Sequence, residues 1–382
     1  MKRYLYDQIL KDLERKMVFI TGPRQVGKTY LSKQIAQEFS KSQYLNFDNM
    51  NERKIINEMT WKKNIDLLIL DEIHKKMDWK LFLKGIFDSR QENLRILVTG
   101  SARLETFRQS GESLAGRYLH LRLNPFSVKE LSGELSTYET IEKLNKIGGF
   151  PEPLLYSLNE NEDESIEFAA RWSKQYYIDL IREDIIEFSR IHEISAMKLL
   201  VELLRSKVGS PISYKNIAED LEVSPNTIKK YIKILESLYI VFLVHPYHKN
   251  IARAILKEPK VYFYDTSFVK GNEGILFENT CAVSLLKNVQ YLFDARGKEI
   301  GLHYLRTKEG KEIDFLISKN GKPEQFLEVK LSESKPSNSL RYFAERFENT
   351  EFIQLVHNLN NEQDINKIKI RKAGEWLANL EA

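Results

Sequence analysis

The chain has 382 residues, of which 42% are hydrophobic and 29% charged, and a formal net charge of +4. That length exceeds one ordinary core and predicts two or three domains, while the composition excludes a disordered or fibrous chain. No run of about eighteen uncharged apolar residues occurs, which excludes a membrane-spanning helix, and the single cysteine, Cys281, excludes a disulfide framework.

Residues 1–16 lack the apolar core of a signal peptide, so a reducing cytoplasm and no membrane association are expected. The seven His and one Cys show no metal-ligand spacing, which argues against structural zinc. Charge is unevenly spread. Residues 196–260 hold 11 Lys/Arg against 6 Asp/Glu, a local +5 that fits a polyanionic partner or a solvated lysine-rich face.

The stretch MVFITGPRQVGKTYLSKQIAQEF predicts a strand over Met17–Thr21, a glycine loop, and a helix carrying Leu31, Ile35 and Phe39. Between them, Gly22-Pro23-Arg24-Gln25-Val26-Gly27-Lys28-Thr29 matches the phosphate-binding loop in full, with Tyr30 following. The glycines let backbone N–H groups turn toward phosphate oxygens. Lys28 supplies positive charge to the β- and γ-phosphates, and Thr29 offers a hydroxyl to Mg²⁺. ATP and Mg²⁺ are therefore the expected cofactors.

DLLILDEIHKK predicts a buried parallel strand over residues 67–70, ending on Asp71-Glu72. An acid at such a strand end holds Mg²⁺, and the following carboxylate, Glu72, is placed to orient or deprotonate water. LRILVTGSARL predicts another buried strand, whose end sets Ser101 beside the γ-phosphate. Arg117 precedes a further strand and is either an arginine finger for a neighbouring subunit or a surface ion-pair residue. Arg103 is a weaker finger candidate. A finger would imply a homo-oligomer.

These motifs resemble the AAA-type ATPases. They resemble in particular the group that joins a domain reading GPRQVGKT, LDEIH and TGSA to a C-terminal domain of unknown function. YLNFD at Tyr44, GGFPE at Gly148 and LFEN at Leu276 sit where that group carries similar words. The second-sensor arginine of the broader AAA pattern is not evident.

Residues 151–195 read as a helical lid with an aromatic stripe, Phe168, Trp172 and Tyr176, preceded by an exposed acidic loop at 159–164. Residues 196–250 read as helix, break, helix, turn, helix, strand. Ser213 and Ser224 are expected helix caps, with Pro225 at the first position of the third helix. Ile228, Ile232 and Leu235 line one face of that helix, away from Asn226, Thr227, Lys229, Lys230 and Lys233. With a strand at 239–244 this predicts a winged helix-turn-helix. DNA is the expected partner, through phosphate contacts more than base reading, and protein docking is the alternative.

EIDFLISKNGKPEQFLEVK sets Asp314 fourteen residues before Glu328, with Lys330 two further on and Asn320-Gly321 between as a hairpin turn. Pairing across that turn brings Asp314 near Glu328, close enough to share one divalent ion. A helix carrying Glu278 precedes it. This region resembles the PD-(D/E)xK nuclease core. The resemblance implies Glu278, Asp314 and Glu328 as metal ligands and Lys330 as the residue holding water or phosphate.

The sequence thus predicts an α/β protein with a P-loop AAA-type ATPase domain (1–150), a helical lid (151–195), a winged helix (196–250) and a small α/β PD-(D/E)xK nuclease-like domain (251–382). The expected function is Mg²⁺-dependent ATP hydrolysis acting on DNA. The alternative is an ATP-controlled switch or adapter whose nuclease-like domain is inactive.

Overall fold

The computed structural model describes residues 1–100, 114–186, 191–248, 257–333 and 335–382. The chain divides into two units, residues 1–124 and 125–382. Among the described residues, no helix is long and apolar enough to cross a membrane.

The first unit alternates helices and strands: α1 (Tyr6–Leu13), β1 (Met17–Thr21), α2 (Lys28–Ala36), β2 (Ser42–Asn46), α3 (Met50–Glu58), β3 (Leu67–Asp71), α4 (Trp79–Ser89), β4 (Arg95–Thr99) and β5 (Tyr118–Arg122). The strands form a five-stranded sheet in the order β2-β3-β4-β1-β5. Every pairing in it is parallel. β1 and β3 are buried at all five positions. Such strands are covered on both faces, which is why they read as continuous apolar runs rather than alternating ones. One face packs Phe19, Leu45, Leu68, Leu70, Phe82 and Val98 into a single core, each such side chain contributing about 1.5–3 kcal/mol on burial. This is the α/β fold with a parallel sheet that the motifs predict. Because β4 lies between β1 and β3, its last residue, Thr99, stands between the phosphate loop and the acidic strand end.

The second unit begins with helices α5 (Val128–Leu131), α6 (Thr137–Ile147), α7 (Pro151–Tyr156), α8 (Glu162–Ile186) and α9 (Ile191–Arg205). The acidic stretch read as a loop at 159–164 is corrected in part. Glu162, Asp163 and Glu164 form the first turn of α8, where the helix N-terminus favours negative charge. Trp172 stacks on Tyr176 at 4.9 Å, and Tyr176 is buried.

Two shorter helices follow, α10 (Tyr214–Asp220) and α11 (Pro225–Ser237). The Ser213 side chain accepts from Asn216 N–H, and Ser224 accepts from Thr227 N–H with Pro225 just inside the helix. These are the caps expected from the sequence. Ile228, Tyr231, Ile232 and Leu235 form the buried face of α11, while Asn226, Lys229, Lys230 and Lys233 are exposed.

The chain then enters an eight-stranded sheet built from β6 (Val241–Pro246), β7 (Lys260–Phe263), β8 (Ile300–Arg306), β9 (Glu312–Lys319), β10 (Lys322–Lys330), β11 (Glu351–Val356), β12 (Gln363–Ile365) and β13 (Ile368–Lys372). Its order is β12-β13-β11-β10-β9-β8-β6-β7. The strand after the helix-turn-helix, β6, pairs antiparallel with β7 and parallel with β8, and so belongs to this sheet. Helix α12 (Glu273–Arg296) packs against β7, β8 and β10. Helices α13 (Asn338–Ala344) and α14 (Ala373–Ala378) complete the unit.

Candidate active site

The phosphate loop is shaped by backbone conformations that few residues adopt. Gly22 has φ +146°, and a Cβ there would lie 2.1 Å from the Leu123 carbonyl oxygen, so only glycine fits against that chain. Gly27 has φ 96° immediately before α2. Gln25 is also left-handed, at φ 58°, an unfavourable conformation for a side chain that is kept where N–H groups must converge. Pro23 and Val26 are buried, Arg24 is half-buried, and Gln25, Thr29 and Tyr30 are exposed. The loop is pinned by Arg3, whose Nη1 donates to the Val26 carbonyl at 2.8 Å and whose Nη2 donates to that of Asn124.

Lys28 is buried, and its Nζ donates to the carbonyls of Gly22 (3.0 Å) and Pro23 (2.6 Å). Burial pulls its pKa down to about 8, against the opposing pull of Glu72 and Asp71. Asp71, also buried, is surrounded by neutral donors. Its Oδ2 accepts from Thr29 Oγ1 at 2.9 Å and from the Tyr44 hydroxyl at 2.5 Å, and its Oδ1 accepts from Thr99 Oγ1. Glu72 has φ 56° and its N–H donates to the Thr99 carbonyl at 3.0 Å. Its carboxylate has His74 Nε2 at 3.6 Å and Lys75 Nζ at 3.7 Å. Burial raises the Glu72 carboxyl, and Lys28 opposes that shift.

The structure therefore brings Lys28, Thr29, Asp71 and Glu72 to the ends of β1 and β3. Oxygen donors of this kind fit Mg²⁺, which is held by one or two carboxylates plus phosphate and water rather than by a full protein cage. Tyr44, Thr99 and His74 were not singled out from the sequence as site residues. YLNFD and LDEIH contain two of them, but a tyrosine or histidine near a strand end carries no signal of its own. Ser101, expected beside the γ-phosphate, and Arg103 lie outside the described residues. Arg117 donates from Nε and Nη2 to the two carboxylate oxygens of Asp88 at 2.8 and 2.9 Å.

The second set of predicted residues lies on the β9–β10 hairpin. Asn320 (φ 50°) and Gly321 (φ 72°) make its two-residue turn. The pairing runs Lys322 to Lys319 and Pro323 to Ser318. It then shifts by one residue to Gln325–Ile317, Phe326–Leu316 and Leu327–Phe315. One further step sets Glu328 across from Asp314, and Val329 N–H donates to Asp314 Oδ2 at 2.9 Å. Glu328 is 5% exposed. Its Oε1 lies 3.2 Å from Lys330 Nζ, while its Oε2 has no hydrogen-bond partner. Burial and the neighbouring Asp314 push its carboxyl well up.

Glu278 on α12 accepts from the Tyr262 hydroxyl at 2.7 Å. An ammonium from β7 also reaches this cluster. Lys260 Nζ lies 2.7 Å from Glu312 Oε1 and 3.7 Å from both Glu278 Oε1 and Asp314 Oδ1. Burial works against the charged form of Lys260. Glu278, Asp314 and Glu312 together outweigh it and hold the ammonium above the ordinary lysine range. Among the described residues no three His, Cys, Asp or Glu side chains are grouped as metal ligands. Of the carboxylates expected to bind a divalent ion, Glu278 and Asp314 share Lys260 with Glu312, while Glu328 pairs with Lys330 and keeps its buried Oε2 without a partner. Nothing in the local sequence links Lys260 to Asp314, because they come from different strands with α12 between.

Residues 14–132 match the family described as AAA domain. Residues 138–274 match a domain of unknown function, DUF8612, and residues 273–373 another, DUF4143. An uncharacterized protein of Mycobacterium tuberculosis is 24% identical over 336 residues, covering 85% of this chain and 73% of its own. One from Methanocaldococcus jannaschii is 27% identical over 373 residues, covering 87% and 79%. Among solved structures, the Walker-type ATPase of Pyrococcus abyssi aligns over 69% of this chain and 93% of its own, at 15% identity and a TM-score of 0.47. This chain carries a P-loop AAA-type ATPase domain followed by a C-terminal DUF4143 domain.

Proposed function

We propose that this protein is a Mg²⁺-dependent ATPase that acts on DNA. The convergence of Lys28, Thr29, Asp71 and Glu72 at the ends of β1 and β3, on either side of β4, carries the ATPase reading. In it, phosphate oxygens replace the Gly22 and Pro23 carbonyls as acceptors for Lys28. Thr29 and Asp71 would hold the metal, with Tyr44 and Thr99 fixing the Asp71 carboxylate. Glu72, raised toward neutrality by burial, orients the attacking water and takes up its proton. Bound Mg²⁺ would neutralise charge building on the β/γ oxygens. A homo-oligomer in which Arg117 leaves Asp88 to reach a neighbour's nucleotide would complete the site.

The DNA reading rests on α10 and α11 as a helix-turn-helix; the strand expected to be its wing, β6, pairs into the eight-stranded sheet instead. The exposed Asn226, Lys229, Lys230 and Lys233 on α11 face away from the apolar side. The hairpin bearing Asp314, Glu328 and Lys330, flanked by α12, supports a PD-(D/E)xK-like fold for the C-terminal part. A second reading is an ATP-controlled switch or adapter whose nuclease-like domain does not cleave. It is favoured by one observation, the lysine lodged among the acids.

The test is ATP turnover with and without duplex DNA. Glu72→Gln should keep ATP affinity and lose about 100-fold or more in turnover. Duplex DNA should raise the wild-type rate, and Lys229→Glu with Lys230→Glu should abolish that rise and lessen the salt dependence of binding. Normal turnover in Glu72→Gln removes the base assignment. A rate indifferent to DNA moves the reading to the adapter.

A further inference from the structure

We propose that Lys260 is a built-in counter-ion that takes the central place of a divalent cation in the hairpin's carboxylate cluster and closes it to metal. The inference concerns the hairpin proposed above as nuclease-like, but it stands on geometry alone. Lys260 is 1% exposed and is the first residue of β7, a strand buried at all four positions. Its backbone is held on both sides, by Val244 of β6 and by a bridge to Pro211, next to the Ile212 N–H to Pro259 carbonyl bond. Its Nζ also lies 5.5 Å from the Tyr304 ring centroid. This is a fixed side chain, not a surface lysine that folds in by chance.

Charge accounting agrees. The four acids Glu278, Glu312, Asp314 and Glu328 each have a cation within 4 Å, supplied by Lys260, Arg306 and Lys330. An ammonium is a compact point charge with three donors. Placed between Glu278, Glu312 and Asp314 it meets there the need that a metal would otherwise meet, while Glu328 lies beyond its reach and pairs with Lys330. A divalent ion entering beside it would face an adjacent buried positive charge in a low-dielectric site. The oxygen Glu278 Oε1 is engaged twice, by Lys260 and by the Tyr262 hydroxyl. Metal could take these oxygens only after Lys260 withdrew.

The measurement is Mn²⁺ binding by calorimetry and electron paramagnetic resonance on the full chain without nucleotide. An Asp71→Asn background would silence the phosphate-loop site. That protein should show no Mn²⁺ site that depends on Asp314. Adding Lys260→Met should create one, binding Mn²⁺ about tenfold or more tightly than the parent, and further adding Asp314→Asn should abolish it. The Lys260→Met protein should also melt lower in chelator and recover with Mn²⁺. An Asp314-dependent Mn²⁺ site in the Asp71→Asn protein overturns the proposal, and that arm needs no change at Lys260. So does a folded Lys260→Met protein, verified by circular dichroism, that gains no site. DNA cleavage is scored separately. Mn²⁺ bound to Lys260→Met without cleavage would sink the nuclease-type reading and leave the counter-ion intact.

Discussion

The two acidic sites of this molecule use the same residue types to opposite ends. Each has a buried lysine near aspartate and glutamate. In the phosphate loop, Lys28 is bonded to its own loop's carbonyls, and Asp71 is held by the hydroxyls of Thr29, Tyr44 and Thr99. No ion pair is completed between them. Burial then dominates, and the lysine falls to about 8. On the hairpin, Lys260 stands among three carboxylates, and their attraction overcomes burial. The lesson is that a buried lysine beside acids does not define a site's chemistry. What matters is whether the charges meet each other or are held apart by neutral donors, ready for an incoming phosphate and cation.

The sharpest break of that comparison is to remove each lysine. Lys260→Met should cost about 3 kcal/mol of stability in denaturant unfolding, because it strands three half-buried carboxylates. Lys28→Met should cost about 1 kcal/mol, since only hydrogen bonds to its own loop are lost. Equal losses would show that both lysines serve as counter-ions. Next in size is Tyr44→Phe. It removes a neutral donor from Asp71 and should weaken Mg-ATP use roughly tenfold, read as kcat/KM over a magnesium series. An unchanged value would mean that Thr29 and Thr99 suffice to hold the carboxylate.

A comparable but pH-dependent effect concerns a half-buried acid with little cationic help. Burial lifts Glu236 to about 7, against weaker opposition from the Leu243 backbone and Lys233. Its folded pKa lies above its unfolded one, so ionisation costs stability as pH climbs through this range. Glu236→Gln should therefore raise stability by about 1–2 kcal/mol at pH 8. That gain should vanish below about pH 4.5, where both forms are neutral. A gain independent of pH would place the effect in packing.

Much of the phosphate-loop site was legible in the sequence because its signals are local. Gly22, Gly27, Lys28 and Thr29 are contiguous, and Asp71-Glu72 ends an apolar run. The partners of Asp71 were not legible, since Tyr44 and Thr99 arrive from neighbouring strands. The strand pair β12–β13 was also unanticipated; β12 is three residues long and carries no apolar alternation.

By itself the sequence determined the phosphate loop, the Ser213 and Ser224 caps and the Asn320-Gly321 turn. In each, residues within a few positions satisfy one another's backbone groups or φ requirements. Tertiary structure decided which faces those elements present. Unbroken pairing from the turn would set Asp314 opposite Leu327. The shift between Pro323 and Gln325 moves it opposite Glu328 instead, and a one-residue slip exchanges the two faces of a strand. Tertiary structure also decided that β7 lies where Lys260 meets the acids of α12 and β9. Strand order and register follow from which buried surfaces fit together across the whole unit, and no short stretch of sequence carries that information.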